Sequence, residues 1–131
     1  MPPKKKIAYR TATLERPLPV PREQAWAGLT AVLEGADGVG VGVPDRDVPL
    51  ARVPLSVEPP WRLVERVDGD HPSPLLQTTV TIRDDGETCL VAWSTLVDPT
   101  DVDPVALDAL VDEVTVAGAG LLDRLEVAAT R

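Results

Sequence analysis

Between Leu75 and Arg83 the chain alternates with a period of two: Leu76, Thr78, Val80 and Ile82 fall on one side, Gln77, Thr79, Thr81 and Arg83 on the other. Successive strand residues point to opposite faces, so this run predicts a strand in an antiparallel sheet with one face covered and one face wet. Strand-like runs also extend over Ile7 to Leu18, Leu50 to Val57, Trp61 to Val67 and Thr88 to Val97. In the first of these, Ala8, Arg10, Ala12 and Leu14 oppose Tyr9, Thr11, Thr13 and Glu15. Glu58-Pro59-Pro60, Asp68-Gly69-Asp70 and Asp84-Asp85-Gly86 separate the later runs. Asp85-Gly86 is a hairpin signal, because glycine accepts the positive φ of such a turn.

Two segments carry the helical period instead. Trp26, Leu29, Val32 and Leu33 recur at spacings of three and four, which predicts a short amphipathic helix from Pro21 to Glu34, ended by Gly35. Pro21 suits a first helical position, where a missing N–H costs nothing, and Glu23 favours the positive end of the dipole. The second helix runs from Pro104 to near Ala128, with Asp103 as N-cap and Leu107, Leu110, Val114, Ala117, Leu121 and Leu125 in its stripe. Asp108, Asp112, Glu113, Asp123 and Arg124 take its wetter sides. The expected fold is α+β, an antiparallel sheet covered by a long C-terminal helix.

Composition narrows this picture. A chain of 131 residues, 44% apolar, is sized for one domain over residues 1–131, with 1–6 a flexible start. A net charge of -8 and a pI near 4.5 repel nucleic acid and anionic membrane, and Lys4-Lys5-Lys6 reads as a short solvated run. No stretch approaches the roughly 20 apolar residues of a membrane span, and no apolar segment follows the lysines as a secretion signal would require. A cytoplasmic location without membrane insertion is therefore expected. Cys89 is the only cysteine, which rules out an internal disulfide and a multi-cysteine zinc site within one chain.

Val20-Pro21-Arg22-Glu23-Gln24-Ala25-Trp26, Val57-Glu58-Pro59-Pro60-Trp61-Arg62-Leu63-Val64 and Gly86-Glu87-Thr88-Cys89-Leu90-Val91-Ala92-Trp93 together resemble the START-like superfamily. Its members include polyketide cyclases, lipid-transfer domains and pollen allergens. The three segments resemble that superfamily's strand-to-helix entry, its E-x-P-P-x-x-L strand opening and its G-G-T-x-V-x-W hairpin arm. The resemblance implies a helix-grip fold, a curved sheet wrapped around the terminal helix, with a cavity between them that holds a hydrophobic small molecule. It implies no catalytic residue, since the superfamily shares none. The chain departs from the pattern in having no Phe, and a glycine-rich link after Glu34 in place of a regular helix.

Candidate chemistry is sparse. Gly38-Val39-Gly40-Val41-Gly42 follows a helix, lacks the Lys-Ser/Thr of a phosphate loop and opens no helix, so it reads as a flexible link or pocket lid. His71 lies in the turn Asp70-His71-Pro72-Ser73-Pro74 and reads as an exposed loop residue with no orienting partner. Cys89 reads as a buried, inert thiol. Asp98, Asp101 and Asp103 lack the glycine and terminal Glu of a calcium loop and read as caps and solvated carboxylates. Neither metal nor cofactor is expected.

Trp61 and Trp93 each lie on a strand, and either could pack in the core or floor the pocket. With Trp93 inward, alternation turns Val91, Thr95, Thr78, Val80, Leu63, Glu65 and Val67 the same way. Leu110, Val114, Ala117, Gly118 and Leu121 face them from the terminal helix. Glu65 or Thr95 then supplies the polar group of a largely apolar site. Gly118 and Gly120 each cost about 1 kcal/mol against alanine in a helix, an expense that either close packing or an open ligand volume would explain, and the open volume is the expectation here. A hydrophobic small-molecule binding module is the favoured function, ahead of a cyclase- or dehydratase-like enzyme and a co-chaperone-like interaction module.

Overall fold

A computed structural model describes residues 8–35 and 41–131. Lys4-Lys5-Lys6, Ile7 and Gly38-Val39-Gly40 lie outside the described residues. The elements are β1 (Arg10–Leu18), α1 (Arg22–Glu34), β2 (Ala51–Glu58), β3 (Arg62–Asp68), β4 (Leu76–Asp85), β5 (Thr88–Val97) and α2 (Pro104–Ala129). The five strands form one antiparallel sheet in the order β1-β5-β4-β3-β2. This is a helix-grip fold, with the sheet's covered face against α2.

Alternation decides which side chains face the helices. On β4 and β5, Val80 pairs with Trp93 and Thr78 with Thr95, and Leu63 and Glu65 extend these rows onto β3. All six are buried, as are Leu110, Val114, Leu121, Leu122 and Leu125 opposite them on α2. The β4–β5 hairpin closes at Asp85 and Thr88, with Gly86 at φ 84° and its N–H donated to Asp84 Oδ1 at 2.9 Å.

Both helix starts use local chemistry. The Asp103 carboxylate accepts from the N–H groups of Val105 and Ala106, both at 3.1 Å, and Pro104 follows in the first turn. Pro21 stands one place earlier than expected, at the N-cap of α1, where its carbonyl accepts from the N–H groups of Gln24 and Ala25. Asp98 Oδ1 holds the N–H of Thr100 at 2.9 Å, so this carboxylate shapes the turn before α2.

Charge fastens α2 to edge strand β1. Arg10 pairs with Asp108 at 2.7 Å, and Arg16 pairs with Asp123 at 2.8 Å and Glu126 at 3.1 Å. At the far end α1 crosses α2 at Gly28, where an added Cβ would lie 3.0 Å from the backbone nitrogen of Ala129. Gln24 Nε2 donates to the Ala129 carbonyl at 2.7 Å across the same contact.

The link before β2 corrects one expectation. Its described part is core: Val41 and Val43 are buried, and Gly42, at φ 75°, brings the backbone against Leu121. No helix of the described residues is long and apolar enough to cross a membrane.

Candidate functional site: a cavity between the first helix and the edge hairpin

The sequence expectation placed a ligand volume under α2 at Gly118. The structure fills that place. A Cβ built on Gly118 would sit 2.5, 2.6 and 2.7 Å from Cε2, Cδ2 and Cζ2 of Trp93, whose ring is fully buried. Glycine there lets the indole lie flat on the helix backbone, so close packing explains it and the open-volume account is overturned at this residue. Gly120 meets nothing within 4 Å. Trp61 is neither core nor pocket floor: it is 44% exposed in the β2–β3 connection, with the Arg62 guanidinium 5.8 Å from its ring centre.

A half-open cavity of about 290 Å3 does lie beside the predicted set, displaced toward α1. From α1 it is lined by Trp26, Leu29, Thr30, Leu33 and Glu34, from β2 by Arg52, Pro54 and Val57, and from β3 by Leu63 and Glu65. Of the expected site residues, Leu63 and Glu65 line it. Val67, Val80, Val91, Trp93, Leu110, Val114 and Leu121 belong to the contiguous core instead, while Thr78, Thr95 and Gly118 are buried and Ala117 is half-buried. Thr95 spends its hydroxyl on the Gln77 carbonyl, at 3.0 Å.

Arg52 was not legible as a site residue, and the reason is local. The register of β2 against β3 shifts between Pro54 and Ser56, leaving Leu55 as an extra residue. A bulge of one residue exchanges the faces of everything beyond it. Val57 faces the same way as Leu63, strict alternation would continue through Leu55 and Val53, and the bulge hands the inner positions to Pro54 and Arg52. Pro54 is tolerated because β2 is an edge strand.

Once turned inward, Arg52 meets Glu65. Its Nη1 lies 3.4 and 3.3 Å from the two carboxylate oxygens, and Nη2 donates to the Leu33 carbonyl at 3.1 Å. The side chains are 17% and 11% exposed, so the pair is largely withdrawn from water and ties the edge strand to the end of α1. An apolar wall with one cluster of fixed polar groups is the usual make-up of a ligand site, and the volume is just below the common range of about 300–1,000 Å3.

His71 differs from its sequence reading. It is half-buried, with Nε2 2.8 Å from the Val67 carbonyl and Nδ1 accepting the Ser73 N–H at 3.2 Å. With Nδ1 as the acceptor, Nε2 is the ring nitrogen placed to donate to the Val67 carbonyl. The Ser73 hydroxyl, with one hydrogen to give, lies 2.8 and 2.7 Å from the carbonyls of Leu75 and Asp98, and its oxygen accepts the Leu75 N–H at 3.2 Å. The loop is thus a knit of hydrogen bonds. Burial pushes the Cys89 thiol up from its ordinary value, and the carboxylates of Asp85, Asp84 and Glu23 add to the shift.

No family model and no curated protein sequence matches the chain. Solved structures do. Norcoclaurine synthase from Thalictrum flavum, in complex with dopamine and hydroxybenzaldehyde, is 16% identical, with a TM-score of 0.67 over 92% of this chain and 86% of that one. The protein Ara h 8.0201 is 12% identical, with a TM-score of 0.70 over 94% and 99%. A protein from Mesorhizobium loti is 20% identical, with a TM-score of 0.67 over 93% and 98%. The chain shares the helix-grip fold with them.

Proposed function

We propose that this protein is a small-molecule binding module of the START-like superfamily, taking an amphipathic ligand between α1 and the β2–β3 hairpin. The observation that carries the reading is the cavity itself, about 290 Å3, lined mostly by apolar side chains with the Arg52–Glu65 pair in its wall. The shared fold is consistent with it, since one of the similar structures holds two small aromatic molecules. Both Glu65 oxygens face Arg52, an arrangement that favours a holding role over proton transfer and ranks binding above catalysis. An interaction role would draw on Leu55, Val57 and Trp61, all exposed at the hairpin end, and the lined cavity carries more weight than these three side chains.

The test is uptake of a small apolar fluorescent probe by the native protein and by Leu33→Trp, which puts an indole into the cavity. Saturable uptake lost in the variant, with its circular dichroism spectrum intact, is expected. Uptake that is absent from the native protein, or unchanged in the folded variant, would overturn the reading.

A further inference from the structure

Size and charge of the cavity together limit what it accepts. At about 290 Å3 the cavity is just below the roughly 300–1,000 Å3 of common ligand pockets. The occupant is then about one ring with a short arm.

The charges around that volume are unequal. Glu34 and Glu65 contribute two negative groups and Arg52 one positive group. The last turn of α1, which ends at Glu34, adds the negative end of the helix dipole. Arg52 is committed to Glu65 and to the Leu33 carbonyl. A ligand carboxylate entering here must take Arg52 from those acceptors and lie near two like charges. A ligand ammonium meets the opposite situation. Glu65 is an acceptor with about four lone-pair sites, more than a single Arg52 nitrogen uses, and Trp26 offers an aromatic wall to a cation. The chain's net charge of -8 gives a background of the same sign.

We infer that the ligand is a small primary amine, bound as its ammonium with its apolar part against Trp26, Leu29 and Leu63 and its charged group at Glu65. This rests on the binding reading above and narrows it to one chemical class, excluding fatty acids and other carboxylates.

Three probes of one shape separate the two claims: 2-phenylethylammonium, 2-phenylethanol and phenylacetate, titrated into 15N-labelled protein while the Trp26 indole N–H resonance is followed. The amine is expected to bind at least about tenfold more tightly than the alcohol, the equivalent of about 1.4 kcal/mol, and the carboxylate most weakly. Glu65→Gln should bring the amine down to the alcohol's affinity and leave the alcohol's unchanged. If that variant does not fold, Glu34→Gln, at an exposed position, should weaken the amine selectively by a smaller factor. Binding of the alcohol with no gain for the amine, or with the carboxylate tightest, would overturn the amine assignment and leave the cavity standing. If none of the three shifts the Trp26 resonance, the cavity reading falls, and the amine assignment with it.

Discussion

Gly118 offers a measurement in which two effects of known size oppose each other. Replacing a helical glycine with alanine stabilises a helix by about 1 kcal/mol when nothing else changes. At Gly118 the new methyl would lie 2.5 Å from Trp93 Cε2, about 1 Å inside ordinary carbon–carbon contact. Trp93 has no room to retreat: it is fully buried and flanked in the sheet by Leu14 and Val80. Overpacking of this kind costs about 1–3 kcal/mol, and the severity of this clash places it toward the upper end. Net of the helix gain, Gly118→Ala should lose about 1–2 kcal/mol. With an unfolding entropy of about 2.1 cal/mol/K per residue, that is a fall in Tm of about 4–7 °C for a chain of 131 residues. Gly120→Ala is the internal control, two residues on and open to space. It should raise Tm by about 3–4 °C, from the helix gain alone. Thermal unfolding followed by circular dichroism reads both. A Gly118→Ala protein that melts at or above the parent would refute the packing account and reopen the volume under α2.

Two further outcomes follow from the loop and the thiol. His71→Ala removes two hydrogen bonds that close the β3–β4 loop and should lower stability by about 1–2 kcal/mol in urea unfolding, so an unchanged midpoint would return this residue to the role of surface filler. Cys89 has its thiol pushed up by burial, so its proton is held more tightly in the folded state; this stabilising effect is full below the unfolded thiol's pKa and is lost as pH rises through the folded one. Alkylation by iodoacetamide at mildly alkaline pH should accordingly be slow in the native protein and fast in denaturant, and equal rates would contradict the burial.

What could be read in advance depended on how local each signal was. Asp103-Pro104 and Asp85-Gly86 set α2 and the β4–β5 turn through contacts with their own neighbours, and both stand where those contacts require. Trp93 and its row faced inward as alternation demanded, because β4 and β5 pair without interruption. Arg52 escaped for the converse reason: the bulge at Leu55 reverses the sense of β2 and leaves no mark in its pattern. His71 escaped because its partners are backbone groups of Val67 and Ser73, which have no sequence signature. Gly118 was recognised as unusual, and only the position of the Trp93 ring separates the two reasons for it.

The three tryptophans occupy three different surroundings. Trp93 is sealed in the core, Trp26 lines the cavity and Trp61 stands 44% exposed beside Arg62. Their emission should therefore divide into a blue component from the interior, a red one that acrylamide quenches readily, and a third that responds to whatever enters beside α1. The molecule carries its own optical instrument: one ring reports unfolding, one reports solvent and one reports the surroundings of the cavity beside α1, and a pair of Trp→Phe replacements would isolate any of them without an added label.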